Sequence, residues 1–207
     1  GGIDSSIIAY FTNKYFEKIT LFTLHSKKAT DLDFVKILND KLGRRLVIVN
    51  FDKTDVEKIK NQVLAILKKN KLKCDLTQIS LACAFYLLCQ KAAQMNIKII
   101  FTGQGPDILL AGYHFYQKIN WENLNEKIKK DIPLLTIDKK RDKAMANFFN
   151  VRLINPYLEK EFINFSLTVP APLKINKIDG EIFEKYLSRQ VGRYLKLPQA
   201  IVFRHKK

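Results

Sequence analysis

Through the first hundred residues, apolar runs of strand length alternate with helical stripes, and this alternation constrains the fold more than any other feature. Residues 19–24, 46–51 and 97–102 are short runs rich in β-branched and aromatic side chains. Helical periodicity fills the gaps. Asp4 or Ser5 can cap a helix reaching about Ile19, and residues 31–42 put Leu32, Val35, Leu38 and Leu42 on one stripe before Gly43. Thr54 or Asp55 opens a helix with Val56, Ile59, Val63, Ile66 and Leu67 on one face, and residues 76–95 are apolar nearly all round. Strands separated by helices need crossovers, so the expected fold is α/β, a parallel sheet with helices on both faces. After residue 120 only helices are expected, at roughly 121–130, 138–149, 159–168 and 179–195. Residues 1–120 then form an α/β core, and residues 121–207 a helical C-terminal portion that completes it.

In such sheets ligands bind at the carboxyl ends of the strands. Two glycine-bearing segments fall there. Gly1-Gly2-Ile3-Asp4-Ser5-Ser6 opens a helix, with a strand expected before it, and Gly103-Gln104-Gly105 follows the 97–102 strand. A glycine-rich turn at a helix start lets backbone N–H groups and hydroxyls surround a phosphate. Asp4, and Asp107 on the first turn of the helix after Gly105, are hard oxygen ligands of the kind magnesium takes beside phosphate and water.

Charge favours an anionic ligand. With 36 Lys+Arg against 20 Asp+Glu the formal net charge is +16, and ATP, pyrophosphate and RNA all suit such a surface. Cys74, Cys83 and Cys89 show no C-x-x-C spacing, which argues against a disulfide framework and a four-ligand zinc site and for a reducing, cytoplasmic setting. Cys83 and Cys89 read as core residues. His25, His114 and His205 are isolated and read as non-metal, with His25 near the pocket because its strand ends there. No apolar run approaches the roughly 20 residues of a membrane span.

These residues resemble the asparagine synthetase domain of the ATP pyrophosphatases that carry an SGGxDSS loop, a family related to the beta-lactam synthetases. Thr102 to Tyr113 is similar to the family's second glycine block, Cys74-Asp75-Leu76-Thr77 to its Y-D-x-T segment, and Asp142 to Met145 to the helix before its P-F-L-D turn. Pro156-Tyr157-Leu158-Glu159 resembles that turn, Glu184-Lys185-x-Leu187-x-Arg189 the E-K-x-L-R block, and Arg204-His205-Lys206 the R-Q-K ending. The resemblance implies a Rossmann-like adenine-nucleotide fold and an ATP- and Mg2+-dependent amide ligase. The carboxylate of aspartate would attack the ATP α-phosphorus, and ammonia would then displace AMP. It also implies that Gly1, Gly2, Ile3, Asp4, Ser5 and Ser6 bind pyrophosphate, that Leu24 offers backbone to adenine, and that Thr102 and Gly103 touch the nucleotide. Asp4 and Asp107 would hold magnesium, and Lys185 and Lys206 would neutralise charge developing on the transferred groups.

The departures fall near the chemistry. Gln104 stands where the synthetases have Glu, and Ile108 where they have an acidic residue. Gln104 is kept as a candidate catalytic position. A glutaminase domain with its N-terminal Cys is not visible, so ammonia would come from solution or from a separate glutaminase domain or subunit. Two other classes stay open, an ATP pyrophosphatase that adenylates a tRNA base and an ATP-binding paralogue without catalysis. A homodimer is compatible with either.

Overall fold

The computed structural model describes residues 1–26 and 30–204. The first half follows the expected alternation. Helix α1 (Ile3–Tyr15) leads into strand β1 (Thr20–His25), helix α2 (Leu32–Leu42), strand β2 (Arg45–Asn50), helices α3 (Lys53–Lys69) and α4 (Leu76–Gln94), and strand β3 (Ile99–Phe101). Local chemistry sets the boundaries. Asp52 and Asp55 form a reciprocal capping box on α3, Asp75 accepts from the Gln78 amide at the start of α4, and Gly43 takes the left-handed conformation that ends α2. Cys83 and Cys89 are wholly buried in α4, and burial raises both thiol pKa values, Cys89 to about 12. Neither is a nucleophile at neutral pH.

The sheet differs from the single wound layer that the alternation suggests. Among the described residues, β1 pairs in parallel with β2, and β3 pairs in parallel with β4 (Arg152–Ile154), as two separate two-stranded sheets. β4 lies where only helix is expected, and its three residues are too few to show a period of two.

A short helix α5 (Pro106–Leu109) and a 3-10 turn (His114–Lys118) lead to α6, which runs unbroken from Trp121–Phe148. Two helices are expected there, and Pro133, which costs about 3 kcal/mol inside a helix, lies between them. The single helix holds because its buried residues lie on both sides of the proline, from Leu124 and Ile128 to Leu135, Ala144 and Met145. The Tyr116 hydroxyl donates to buried Asp131 at 2.7 Å, fixing the turn next to Pro133.

A further 3-10 turn (Pro156–Leu158), α7 (Lys160–Thr168) and α8 (Ala171–Lys174) precede an antiparallel hairpin of β5 (Ile175–Ile178) and β6 (Glu181–Glu184). The helix expected from residue 179 therefore starts seven residues later, as α9 (Tyr186–Tyr194), and α10 (Gln199–Val202) follows. Asp179-Gly180 is a two-residue turn with both residues at positive φ, the geometry that joins twisted antiparallel strands. One apolar cluster joins the two ends of the described chain: Ile3 and Ile7 of α1 pack with Leu38, Leu197, Ile201 and Val202. No described helix is long and apolar enough to cross a membrane.

Candidate functional site

The N-terminus of α1 has no side-chain cap at Gly2. The hydroxyls of Ser5 and Ser6 both donate to the Gly2 carbonyl, at 3.0 and 2.9 Å, and lock the first turn. The earliest amides of the helix have no intrahelical acceptor, so the positive end of the helix is left for an anion. Nothing lies within 4 Å of a Cβ built on Gly2, so this turn faces open space. Gly103 abuts it from the other side: a Cβ there would lie 2.5 Å from the Ser5 amide nitrogen. Only a glycine lets the loop after β3 lie against the start of α1.

Beside this turn, Lys185 brings two carboxylates together. Its Nζ lies 2.5 Å from Asp4 Oδ2 and 2.9 Å from Asp107 Oδ1. Asp4 and Lys185 are only 7% and 8% exposed, which makes this a desolvated ion cluster rather than a surface pair. Ser188 donates to the other Asp4 oxygen at 3.4 Å. Burial pushes the Asp4 carboxyl above its ordinary range, with the Lys185 charge opposing. Burial pulls Lys185 down, but the charges and hydrogen bonds of Asp4 and Asp107 outweigh it and raise the ammonium above its usual value. Lys185 therefore stays protonated. It holds a left-handed backbone, φ 52°, at the N-cap of α9, a conformation that costs a non-glycine residue about 1 kcal/mol or more.

A cavity of about 190 Å³ opens onto this cluster, lined among others by Gly2, Asp4, Asp107, Gly112, Lys185 and Arg204. Arg204 donates to the Gly1 carbonyl at 3.2 Å, pairs with Asp31, and stacks over the Phe34 ring. Arg189 anchors the segment after α10, donating to the Val202 and Arg204 carbonyls at 2.5 and 3.0 Å. Ser188, Arg204, Asp31 and Gly112 are absent from the sequence-derived site. Arg204 stands first in the R-H-K ending that resembles the family's R-Q-K, and that block was the available signal. Asp31 had no signal, because its role depends on a partner 173 residues away.

The structure brings Gly2, Ile3, Asp4, Asp107 and Lys185 to one cavity. Gly1, Ser5, Thr102 and Gly103 line a neighbouring groove instead. Leu24 sits on β1 opposite Val49 and lines neither of the two. Lys206 lies outside the described residues.

Gln104 belongs to a second polar cluster. Its Oε1 accepts from Asn155 at 3.4 Å, and its side chain also hydrogen-bonds Asp142. Asn155 in turn donates to Thr102 Oγ1 at 2.6 Å. Buried Arg141 donates to Asp142 at 2.8 Å, to Asp138 at 2.6 Å and to Gln78 at 2.9 Å. Burial raises Asp142 to about 6, with Arg141 and Gln104 opposing. The folded chain then binds more protons than the unfolded one between pH 4 and 6, so stability falls as pH rises through that window, by about 3 kcal/mol for this group. Urea unfolding at pH 4.5 and 7 reads that slope. Gln104→Glu would place another carboxylate against Asp142 and is expected to lower stability at pH 7 by a further 1–3 kcal/mol, order of magnitude. Asp142→Asn should flatten the slope and remove that penalty.

Fold and site together define an α/β protein in which a helix N-terminus faces a buried centre of two carboxylates and one ammonium. Sequence comparison takes this class to a family: residues 1–141 match the asparagine synthase profile, and the chain belongs to that family. It is similar to a putative glutamine-hydrolyzing asparagine synthetase of Methanocaldococcus jannaschii, 28% identical over 191 residues, 87% of this chain and 33% of that protein. It also resembles asparagine synthetase 3 of Arabidopsis thaliana, 25% identical over all of this chain and 38% of that protein. The root asparagine synthetase of Pisum sativum is likewise 25% identical, over all of this chain and 37% of its own length. The chain thus spans about a third of the length of these relatives.

Proposed function

We propose that the chain is the ATP-using half-reaction unit of an asparagine-synthetase-like ligase, with residues 1–120 binding the nucleotide and residues 121–207 completing the site. The observation that carries this reading is the Asp4–Lys185–Asp107 cluster beside the uncapped start of α1. The 190 Å³ cavity suits the phosphates rather than a whole nucleotide. Amides of the α1 turn bind the β- and γ-phosphates, and Lys185 neutralises the charge that builds on pyrophosphate as it leaves.

The site also fits magnesium. Asp4 Oδ2 and Asp107 Oδ1 both contact Lys185 Nζ, at 2.5 and 2.9 Å, and no cluster of three or more metal-ligating side chains occurs among the described residues. One or two carboxylates with phosphate and water is the usual protein share of a magnesium site. Asp4 and Asp107 would hold the ion, which supplies charge neutralisation on the nucleotide. Lys206 would act on the transferred group.

On the substrate side, Asp138 and Asp142 outnumber Arg141 in charge, and this cluster suits the ammonium group of an amino acid such as aspartate. The aspartate carboxylate attacks the α-phosphorus, pyrophosphate leaves, and ammonia attacks the resulting acyl adenylate and expels AMP. The test is pyrophosphate release from ATP and magnesium, with aspartate, ammonia and bulk tRNA added singly and together. Stimulation by aspartate, completed to asparagine by ammonia, is expected, and Asp107→Ala should reduce it at least 100-fold, order of magnitude. Release that needs tRNA would overturn the reading in favour of RNA adenylation. ATP binding without release under any condition would mark a non-catalytic subunit.

A further inference from the structure

Among the described residues, three cations line the 190 Å³ cavity: Lys185, Arg189 and Arg204. Two of them are committed elsewhere. All three nitrogens of the Arg189 guanidinium donate to main-chain carbonyls, Nε to Glu184 at 2.8 Å and the other two to Val202 and Arg204. Lys185 is held between Asp4 and Asp107, and parting from either would leave a desolvated charge without its partner.

Arg204 is bound differently. Its carboxylate partner is Asp31, whose side chain is 52% exposed. An ion pair at such a position contributes little, because water competes for both charges. Two other contacts keep the guanidinium against the Gly1-Gly2 turn: it lies over the Phe34 ring, 4.1 Å from its centroid, and donates to the Gly1 carbonyl at 3.2 Å. It can therefore exchange its carboxylate without leaving the cavity.

Asp31 has a second positive centre beside it. It stands at the N-cap of α2, yet its side chain gives that helix no capping hydrogen bond. A carboxylate there is favoured by the first-turn amides and by the helix dipole. Carboxylates also outnumber cations in the cavity lining, since Glu184 joins Asp4, Asp31 and Asp107. A phosphate entering the cavity gains from any movement that draws one carboxylate back and turns one cation inward.

We infer that Arg204 is a phosphate-binding residue restrained by Asp31. When pyrophosphate, free or as part of ATP, enters the cavity, the guanidinium passes from Asp31 to a terminal phosphate oxygen, and Asp31 turns to the amides of α2. A solvated ion pair is thereby replaced by the forked, charge-assisted contact that arginine makes with phosphate. This inference rests on the nucleotide reading of the cavity given above, and adds to it a residue that sets phosphate affinity and a second that opposes it.

The test is a double-mutant cycle, read by calorimetric titration of inorganic pyrophosphate with magnesium at low salt, on the parent, Asp31→Asn, Arg204→Gln and the double variant. Asp31→Asn is expected to bind pyrophosphate about three to five times more tightly than the parent, because the guanidinium no longer has an ion pair to leave. Arg204→Gln should weaken binding about tenfold or more, through the lost charge-assisted hydrogen bonds. The double variant should match Arg204→Gln within about twofold, the sign of full coupling. An undiminished gain from Asp31→Asn in the Arg204→Gln chain overturns the exchange, since Asp31 would then act only as a repelling charge. Parent-like affinity in Arg204→Gln overturns it as well. A parent that binds no pyrophosphate overturns the phosphate reading of the cavity and the exchange with it, whereas a parent that binds, with additive variants, removes the exchange alone. Should Arg204→Gln fail to fold, Arg204→Lys keeps the charge and loses the fork; binding about fivefold weaker is then expected, and affinity equal to the parent's overturns the inference.

Discussion

Replacing Lys185 with Met is expected to give the largest single loss, at least 1,000-fold in pyrophosphate release and about 3–5 kcal/mol of stability at pH 8. Methionine keeps the stem as far as Cε and the left-handed backbone, so the change removes chiefly the ammonium. Without the ammonium, Asp4 is a buried carboxylate beside Asp107 with nothing to compensate it. Burial already raises the Asp4 pKa, and losing Lys185 raises it further. A raised folded-state pKa means that stability falls as pH climbs above the ordinary value of 3.8. The variant should therefore lose far less at pH 5 than at pH 8, and urea unfolding at both values reads the difference. Magnesium should stabilise the variant more than the parent, since the cation replaces the missing ammonium. Equal destabilisation at both pH values, with no response to magnesium, would show that Lys185 acts through packing alone.

A single methyl group at Gly112 is expected to do almost as much harm. A Cβ there would lie 2.0 Å from Lys185 Cε and 2.9 Å from Asp107 Oδ1. The lysine stem cannot move aside without leaving one of its two carboxylates, because both contacts sit at hydrogen-bond length. Gly112→Ala should cut turnover about 100-fold or more, since small displacements of a positioned charge carry costs of that size. Loss of stability should be only about 1–3 kcal/mol, in line with other overpacking changes. The double variant Gly112→Ala, Lys185→Met should be slower than Lys185→Met by much less than the loss that Gly112→Ala causes in the parent, because the methyl acts chiefly through the lysine and otherwise meets only Asp107 Oδ1. A further additive loss would refute that coupling.

The α/β class and the elements that bear the site were legible because their signals are local. The strands near 20, 46 and 99 and the helices over 53–69 and 76–94 follow from periodicity, although the α3 cap is Asp52 rather than Thr54 or Asp55. What stayed hidden depends on tertiary contact. The helices expected at 121–130 and 138–149 are one helix, α6, and only packing along both of its flanks carries it through Pro133. The 179–184 segment carries a readable Asp-Gly turn signal, yet it falls inside the helix expected over 179–195. In the sequence Gln104 reads as a lost carboxylate. In the structure it is an amide with Asn155 on one side and Asp142 on the other, the place where another negative charge is hardest to accommodate. The geometry of the Lys185 cluster is not readable in the sequence, because Asp4 stands 181 positions before the lysine and Asp107 lies mid-chain.

The bond between Asp4 and Lys185 spans 181 positions, and that span has a consequence during synthesis. At about 5–20 residues per second, a nascent chain waits roughly ten to forty seconds between emergence of the aspartate and of its lysine. Over that interval α1 also lacks Leu197, Ile201 and Val202, the residues that cover Ile3 and Ile7. The first turn of α1 therefore emerges well before the residues that complete its surroundings, so holdase chaperones are expected to meet the nascent chain through α1.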